Sequence, residues 1–266
     1  LVATGNVRLV SSTHTDSGEM ANEVCTSLGL TGKDLSGKLV QIVEAHGSDA
    51  GFMTGILMWN ASKSDTAVCL LALHNSGTHH QNVTKRLGFN LRTAIDSKTA
   101  VVLDPFDTYV EKTGNFSDID FRNENNLKRL FFDVKEALGS FPGKKCLVVD
   151  DLSDLLCLGA DVTQVVTFLQ CCRALQETDR GLALVVCTHR SEENRDQKLL
   201  ADFVAHTADY RMTIAGLKTG FSATVTGSVE IVDNLESDQS ASRLFHFKLS
   251  DRQVRVFAPG SVGIRT

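Results

Sequence analysis

Residues 43–55 read VEAHGSDAGFMTG: an apolar strand-like end, a turn with two glycines, and the start of a helix-like stretch. A glycine-containing turn between strand and helix is where an α/β protein holds phosphate, because free backbone N–H groups at a helix N-terminus point at the anion. The phosphate-loop pattern G-x-x-x-x-G-K-[ST] adds a Lys for the β- and γ-phosphates and a hydroxyl for Mg²⁺. Aligned on Gly51, this chain has His46 for the first glycine, Phe52 for the Lys and Met53 for the hydroxyl residue. Gly47 keeps the turn flexible, and Asp49 adds a negative charge where a polyphosphate would lie. His46, Gly47, Asp49, Gly51, Phe52 and Met53 are therefore expected to form a degenerate nucleotide loop.

A second constellation follows at Val148-Val149-Asp150-Asp151, an apolar strand ending in carboxylates. Such an end is Walker-B-like, the place where a carboxylate holds Mg²⁺. With no lysine in the glycine turn, the expected role of Asp150 is structural, as a helix cap or a bond to a neighbouring loop. A recombinase-type ATPase also needs a carboxylate after the second strand to activate water, and residues 74–80 there read HNSGTHH, without Asp or Glu. His79 and His80 are adjacent and would point in different directions on a helix. No His-x-x-x-His spacing or Cys/His cluster completes a tetrahedral set, so no metal is expected. His189, in CTHR, is expected to be a hydrogen-bonded strand-end residue, and no G-x-S-x-G elbow marks a hydrolase.

Elements must position these residues. Apolar runs at 38–44, 66–73, 99–103, 145–149 and 182–187 suit strands buried on both faces of a parallel sheet. Between them lie helical patterns: a weak tail at 54–61, then 79–87, 123–138, 162–175 behind Asp161 as N-cap, and 197–205. From 210 onward the pattern is β-like, at 210–215, 223–232, 245–249 and 253–257, with a hairpin bend at Ser250 and Asp251. Loops are expected at 111–120, 190–196 and 233–242. This is an α/β fold with a mainly parallel sheet flanked by helices and antiparallel strands at the C-terminal end.

The net charge of -5 excludes a free-standing, strongly basic nucleic-acid binder. Basic residues come in pairs rather than runs; Arg190, Arg195 and Lys218 are the residues placed to join an RNA-facing patch in an assembly. At 42% hydrophobic and 22% charged, the chain has an ordinary globular balance, with no apolar run long enough for a membrane helix. Seven cysteines sit mostly in apolar stretches without a CxxC pair, as expected of reduced thiols in the cytoplasm or nucleus. Without a secretory route, the sequons at Asn60, Asn82 and Asn115 are expected to be coincidental. Residues 1–19 lack an initiating Met and are rich in Ser, Thr and Gly, and are expected to be a non-native or disordered leader. Residues 20–266 are expected to form one domain.

Several segments together resemble the Elongator complex protein 6 family: LVVDDLSDLLCLG (147–159) with FLQCCRAL (168–175), AGLKTGFSATVTGSVEI (215–231) and FKLSDRQVRVFAPG (247–260). GKLVQIVEAHGSDAGF around the first strand and NVTKRLGF after the second also suit it. The resemblance implies a RecA-like fold without a Walker A signature. It implies a non-catalytic scaffold with no cofactor or small-molecule substrate, in a heterohexameric ring with Elongator complex proteins 4 and 5. That ring attaches to the catalytic Elongator subcomplex, binds tRNA and supports 5-carboxymethyl-type modification of wobble uridine; any ATPase activity belongs to the ring. Two alternatives stay open. One is a divergent active RecA-superfamily ATPase; the other is a pseudo-ATPase adaptor of another complex, such as Elongator protein 5 or a recombinase paralogue.

Overall fold

Among the described residues of the computed structural model the β-like runs become nine strands: β1 Leu39–Ala45, β2 Ala67–Leu71, β3 Ala100–Leu103, β4 Lys145–Val149, β5 Leu182–Arg190, β6 Tyr210–Gly216, β7 Gly227–Asp233, β8 Ala241–Leu249 and β9 Val254–Phe257. The structure describes residues 17–108, 114, 116–217, 220, 222–235, 241–250 and 253–261. All nine strands join one sheet in the order β3-β2-β4-β5-β1-β6-β7-β8-β9. The pairs from β3 through to β6 are parallel, and β6 to β9 pair antiparallel. The sheet is thus mainly parallel with an antiparallel end. β6 belongs to both parts, because it runs parallel to β1 and antiparallel to β7.

The described helices are α1 Ser17–Leu28, α2 Gly51–Lys63, α3 Gly77–Arg86, α4 Leu91–Asp96, α5 Glu124–Gly139, α6 Asp154–Cys157, α7 Val162–Thr178 and α8 Arg195–Thr207. Asp161 caps α7 through a full capping box with Gln164, satisfying two otherwise orphaned N–H groups. Two cores result. One lies between the sheet and α1 to α4, built from residues such as Val40, Ile42, Met53, Ile56 and Leu91. The other lies under α5 to α8, with Phe121, Leu130, Leu155, Val165 and Leu200. β5 is buried over seven consecutive residues, so its continuous apolar run follows from having helices on both sides.

Several sequence expectations are corrected. The helix foreseen at 54–61 starts at Gly51; Phe52 to Asn60 are all buried, so it carries no polar face from which its start could be read. Helix α1 begins at Ser17 and runs through the boundary drawn before Met20, because Ala21, Val24, Cys25 and Leu28 pack into the core. The rest of the expected leader, residues 1–16, lies outside the described residues. The loop foreseen at 190–196 shrinks, since Arg190 ends β5 and Arg195 opens α8. The loop at 111–120 contains a 3₁₀ turn, Phe116–Ile119. The last hairpin closes through Ser250 and Gln253, whose N–H groups and carbonyls pair; Asp251 lies outside the described residues.

Candidate functional site

After β1 and β2 the chain crosses to the α1–α4 face, and after β4 and β5 to the α5–α8 face. Crevices therefore open at the carboxyl ends of the strands, between β1 and β5 and between β2 and β4. In open α/β sheets such switch points are where ligands bind.

The first crevice holds the glycine turn. Gly47 has φ +77, a left-handed conformation that needs glycine, and it lets the chain fold back after β1. Two carboxylates of the turn's own neighbourhood occupy its N–H groups. Ala50 N–H donates to Glu44 Oε2 at 2.7 Å, and Gly51 N–H donates to Asp49 Oδ1 at 2.8 Å. Glu44 and His189 are register partners on β1 and β5, with Glu44 Oε1 and His189 Nδ1 at 3.2 Å. Ser48 Oγ donates to the carbonyls of Ala45 and Ile214 and ties the turn to β6. Phe52 is buried, its ring 4.9 Å from that of Phe247 on β8, and Met53 is fully buried in the same core. The side chains at the Lys and hydroxyl positions of the phosphate-loop pattern thus serve packing. His46 stays exposed, 6.5 Å edge-on from the His189 ring.

The second crevice holds the carboxylates of β4. Asp150 turns toward α3. Its Oδ1 accepts from Leu73 N–H at 2.6 Å and Asp151 N–H at 2.8 Å, its Oδ2 from Asn75 N–H at 2.9 Å, and both oxygens approach His74 N–H. His80 Nε2, buried, completes the shell at 2.9 Å from Oδ2. Burial would raise this carboxyl, but His80 and the N–H groups of Asn75 and Leu73 outweigh it and hold it below the usual carboxylate range. Asp150 therefore bonds the neighbouring loop, one of the two structural roles open at the sequence level. The position after β2 where a water-activating carboxylate would stand is part of the loop that Asp150 organises.

Asp151 turns the other way. It accepts from Ser153 N–H at 2.8 Å and faces Asp154 at the start of α6. Burial, then the neighbouring Asp154 charge, pushes it up to about 7. Burial also raises Asp154, although His74 Nδ1 stands 2.8 Å from its Oδ2. Burial works against the charged form of His74, but Asp154, Asp151 and Asp150 together hold its imidazole above the ordinary histidine value. Ligand atoms of His74, Asp151 and Asp154 lie within 4.8 Å of one another.

Arg190 reaches the first crevice from β5 but faces Glu192 at 3.3 Å and Asp202 at 3.4 Å, which offset its charge. These residues, with His46, Arg211 and Glu230, line a cleft of about 470 Å³ whose mixed charge is not a phosphate-attracting field. Arg195 is exposed in the first turn of α8. Lys218 lies outside the described residues. Sequence reasoning missed Glu44, His74 and Asp154. A carboxylate directly before the glycine turn was a visible signal for Glu44. His74 and Asp154 meet only because β2 and β4 are neighbours.

The fold defines the class: a RecA-like α/β protein. A KaiC-like protein from the archaeon Pyrococcus horikoshii aligns with TM-score 0.56 over 84% of this chain and 90% of its own, at 12% identity, a likeness of fold alone. Residues 22–251 match the family described as Elongation complex protein 6, and the chain belongs to that family. Elongator complex protein 6 of Xenopus laevis is 28% identical over 260 residues, covering 91% of this chain and 98% of the relative. The human protein of that name is 28% identical, covering 84% and 91%. The Drosophila melanogaster one is 27% identical, covering 92% and 100%.

Proposed function

We propose that this chain is a non-catalytic scaffold subunit of the Elongator complex. In this reading it forms a heterohexameric ring with Elongator proteins 4 and 5, joins the catalytic subcomplex and acts in the cytoplasm, with a nuclear pool. The ring binds tRNA and supports wobble-uridine modification, and the chain itself binds no small-molecule substrate, cofactor or membrane. Family membership supports the partner set. The observation that carries the non-catalytic reading is the turn after β1. Phe52 and Met53 are built into the core, and Glu44 and Asp49 accept the N–H groups that would face a phosphate. A polyphosphate entering there would meet two carboxylates and no cation from the loop. Among the described residues, no helix is long and apolar enough to cross a membrane, in keeping with a ring subunit.

Co-expression tests the proposal. The tagged chain is purified with and without Elongator proteins 4 and 5, and complex mass, ATP binding and tRNA binding are measured. A stable ring that binds tRNA, from a chain that alone binds no ATP, is the expected result. A monomer that ignores those partners and binds ATP saturably would establish the divergent ATPase instead. A different partner set recovered from cells would establish an adaptor of another complex.

A further inference from the structure

We infer that the cavity around Asn60, at the amino ends of the strands, is a binding site for a small, neutral, planar lactam, the N–H-beside-C=O edge carried by oxopyrimidine, oxopurine and pterin rings. The site lies at the opposite end of the sheet from both crevices. It is enclosed by residues 32–36, which lead into β1, by the last turns of α2 and by the first residues of β4 and β5, and its volume is about 300 Å³. That is the lower end of the range for small-molecule sites, room for a single ring system. Leu57, Cys146 and Ala183 give it apolar walls.

Asn60 is the residue that points to a ligand. It is only 6% exposed, it lines this cavity, and its carboxamide has no hydrogen-bond partner among the described residues. A buried amide without partners is costly, and folded proteins rarely keep one. The other polar side chains around the cavity are engaged. Asp34 and Lys144 form an ion pair at 2.7 Å, Ser36 bonds Asp34, and Lys33 holds Asp233 at 3.0 Å. Ser64 Oγ donates to the Asn60 carbonyl and Thr66 Oγ1 to that of Ser64. The sequence marks Asn60 only as a sequon, and its burial denies it the surface position that a glycosylation acceptor needs.

The ligand's chemistry follows from which groups are free. A carboxamide offers an acceptor oxygen beside an NH₂ donor. A lactam offers the complementary pair, so Asn60 Oδ1 would accept from its N–H and Nδ2 would donate to its C=O. The apolar walls suit the two faces of a flat ring. Both rim lysines are committed to carboxylates, so nothing there calls for a phosphate or a carboxylate on the ligand. The ligand is held and not converted, because the thiol of Cys146 is pushed by burial up to about 12 and stays protonated. A bound effector of this kind is compatible with the non-catalytic reading and does not rest on it.

The test is ligand-observed NMR titration of the full chain with 2-pyridone, a minimal lactam, and with N-methyl-2-pyridone, which keeps the ring and carbonyl but lacks the N–H. Saturable binding of 2-pyridone is expected, with the N-methyl compound weaker by about tenfold. Asn60→Leu, close to isosteric, should weaken 2-pyridone by about tenfold or more. It should keep the fold, because it replaces an amide that has no partner, and far-ultraviolet circular dichroism verifies this. No saturable binding, equal binding of the two compounds, or undiminished binding by Asn60→Leu would overturn the inference. The two compounds are compared on the unaltered chain, so the test stands even where the variant disturbs the fold. ATP binding and ring assembly with Elongator proteins 4 and 5 are separate readouts, so failure here leaves the scaffold reading standing.

Discussion

Asp150 and Asp151 are consecutive, both deeply buried, and identical in chemistry, yet the two sides of the β4 end treat them in opposite ways. On the α3 side, four backbone N–H groups and the His80 ring converge on Asp150, and the ionised form is favoured. On the α6 side, Asp151 meets the Ser153 N–H group and hydroxyl and a second carboxylate, and the neutral form is favoured up to about pH 7. Burial is common to both, so burial does not decide a carboxyl's state; the donors that accompany it do. The Asp150 side is a finished structural joint between β2 and β4. The Asp151 side is an unfinished electrostatic problem.

The contrast breaks most sharply at Asp150. Asp150→Ala is expected to cost about 3–5 kcal/mol, because it strands His80 and the N–H groups of the Leu73–Asn75 loop. Urea unfolding measures it, and a loss under about 1 kcal/mol would mean that the loop finds other partners. The sign with pH follows from the lowered carboxyl. The stability that Asp150 confers is present above the ordinary carboxylate pKa of 3.8 and is lost as pH falls through the lower folded-state value.

Asp151→Asn should do the reverse. Its folded-state pKa of about 7 lies above the ordinary 3.8, so the native protein holds a proton that the unfolded chain has released between those values. Its stability contribution therefore falls as pH rises from about 4 to 7. The Asn variant, which needs no proton, should be more stable than wild type by about 4 kcal/mol at pH 8 and equal to it near pH 4. Thermal melts at the two pH values measure this, and a gain of the same size at both would mean that side-chain charge is irrelevant there.

The smallest effect is expected at the other crevice. Glu44→Ala removes the acceptor of Ala50 N–H at the start of α2 and should cost about 1 kcal/mol, measured by urea midpoint. Amide exchange at Ala50 should quicken with it, and unchanged exchange would mean that the Glu44 contact is not what holds the turn.

The strands were legible to within a residue or two over most of the parallel sheet. A strand covered on both faces must be apolar throughout, and Leu182–Val186 or Cys146–Val149 allows little else. Helices α5 and α7 were legible from their stripes, and α7 also from Asp161 as its N-cap. Helix α2 was half hidden because it is buried all round, and α1 was hidden by the polar composition upstream of Ser17. The turn after β1 was found as a turn, but not what fills it.

The sequence by itself determined the order of strands and helices, the change to antiparallel pairing at the end, and which side chains stand where a phosphate loop would need Lys and Ser. These are local properties, set by period, polarity and residue type along the chain. Only the tertiary structure decided which carboxylate meets which donor. Glu44 reaches Ala50 and His189 because β5 lies beside β1, and Asp150 reaches residues 73–75 because β4 lies beside β2. Hydrogen bonds and desolvation act over a few ångströms in space, and His74 and Asp154 are brought within that range from opposite ends of an 80-residue separation by the pairing of two strands.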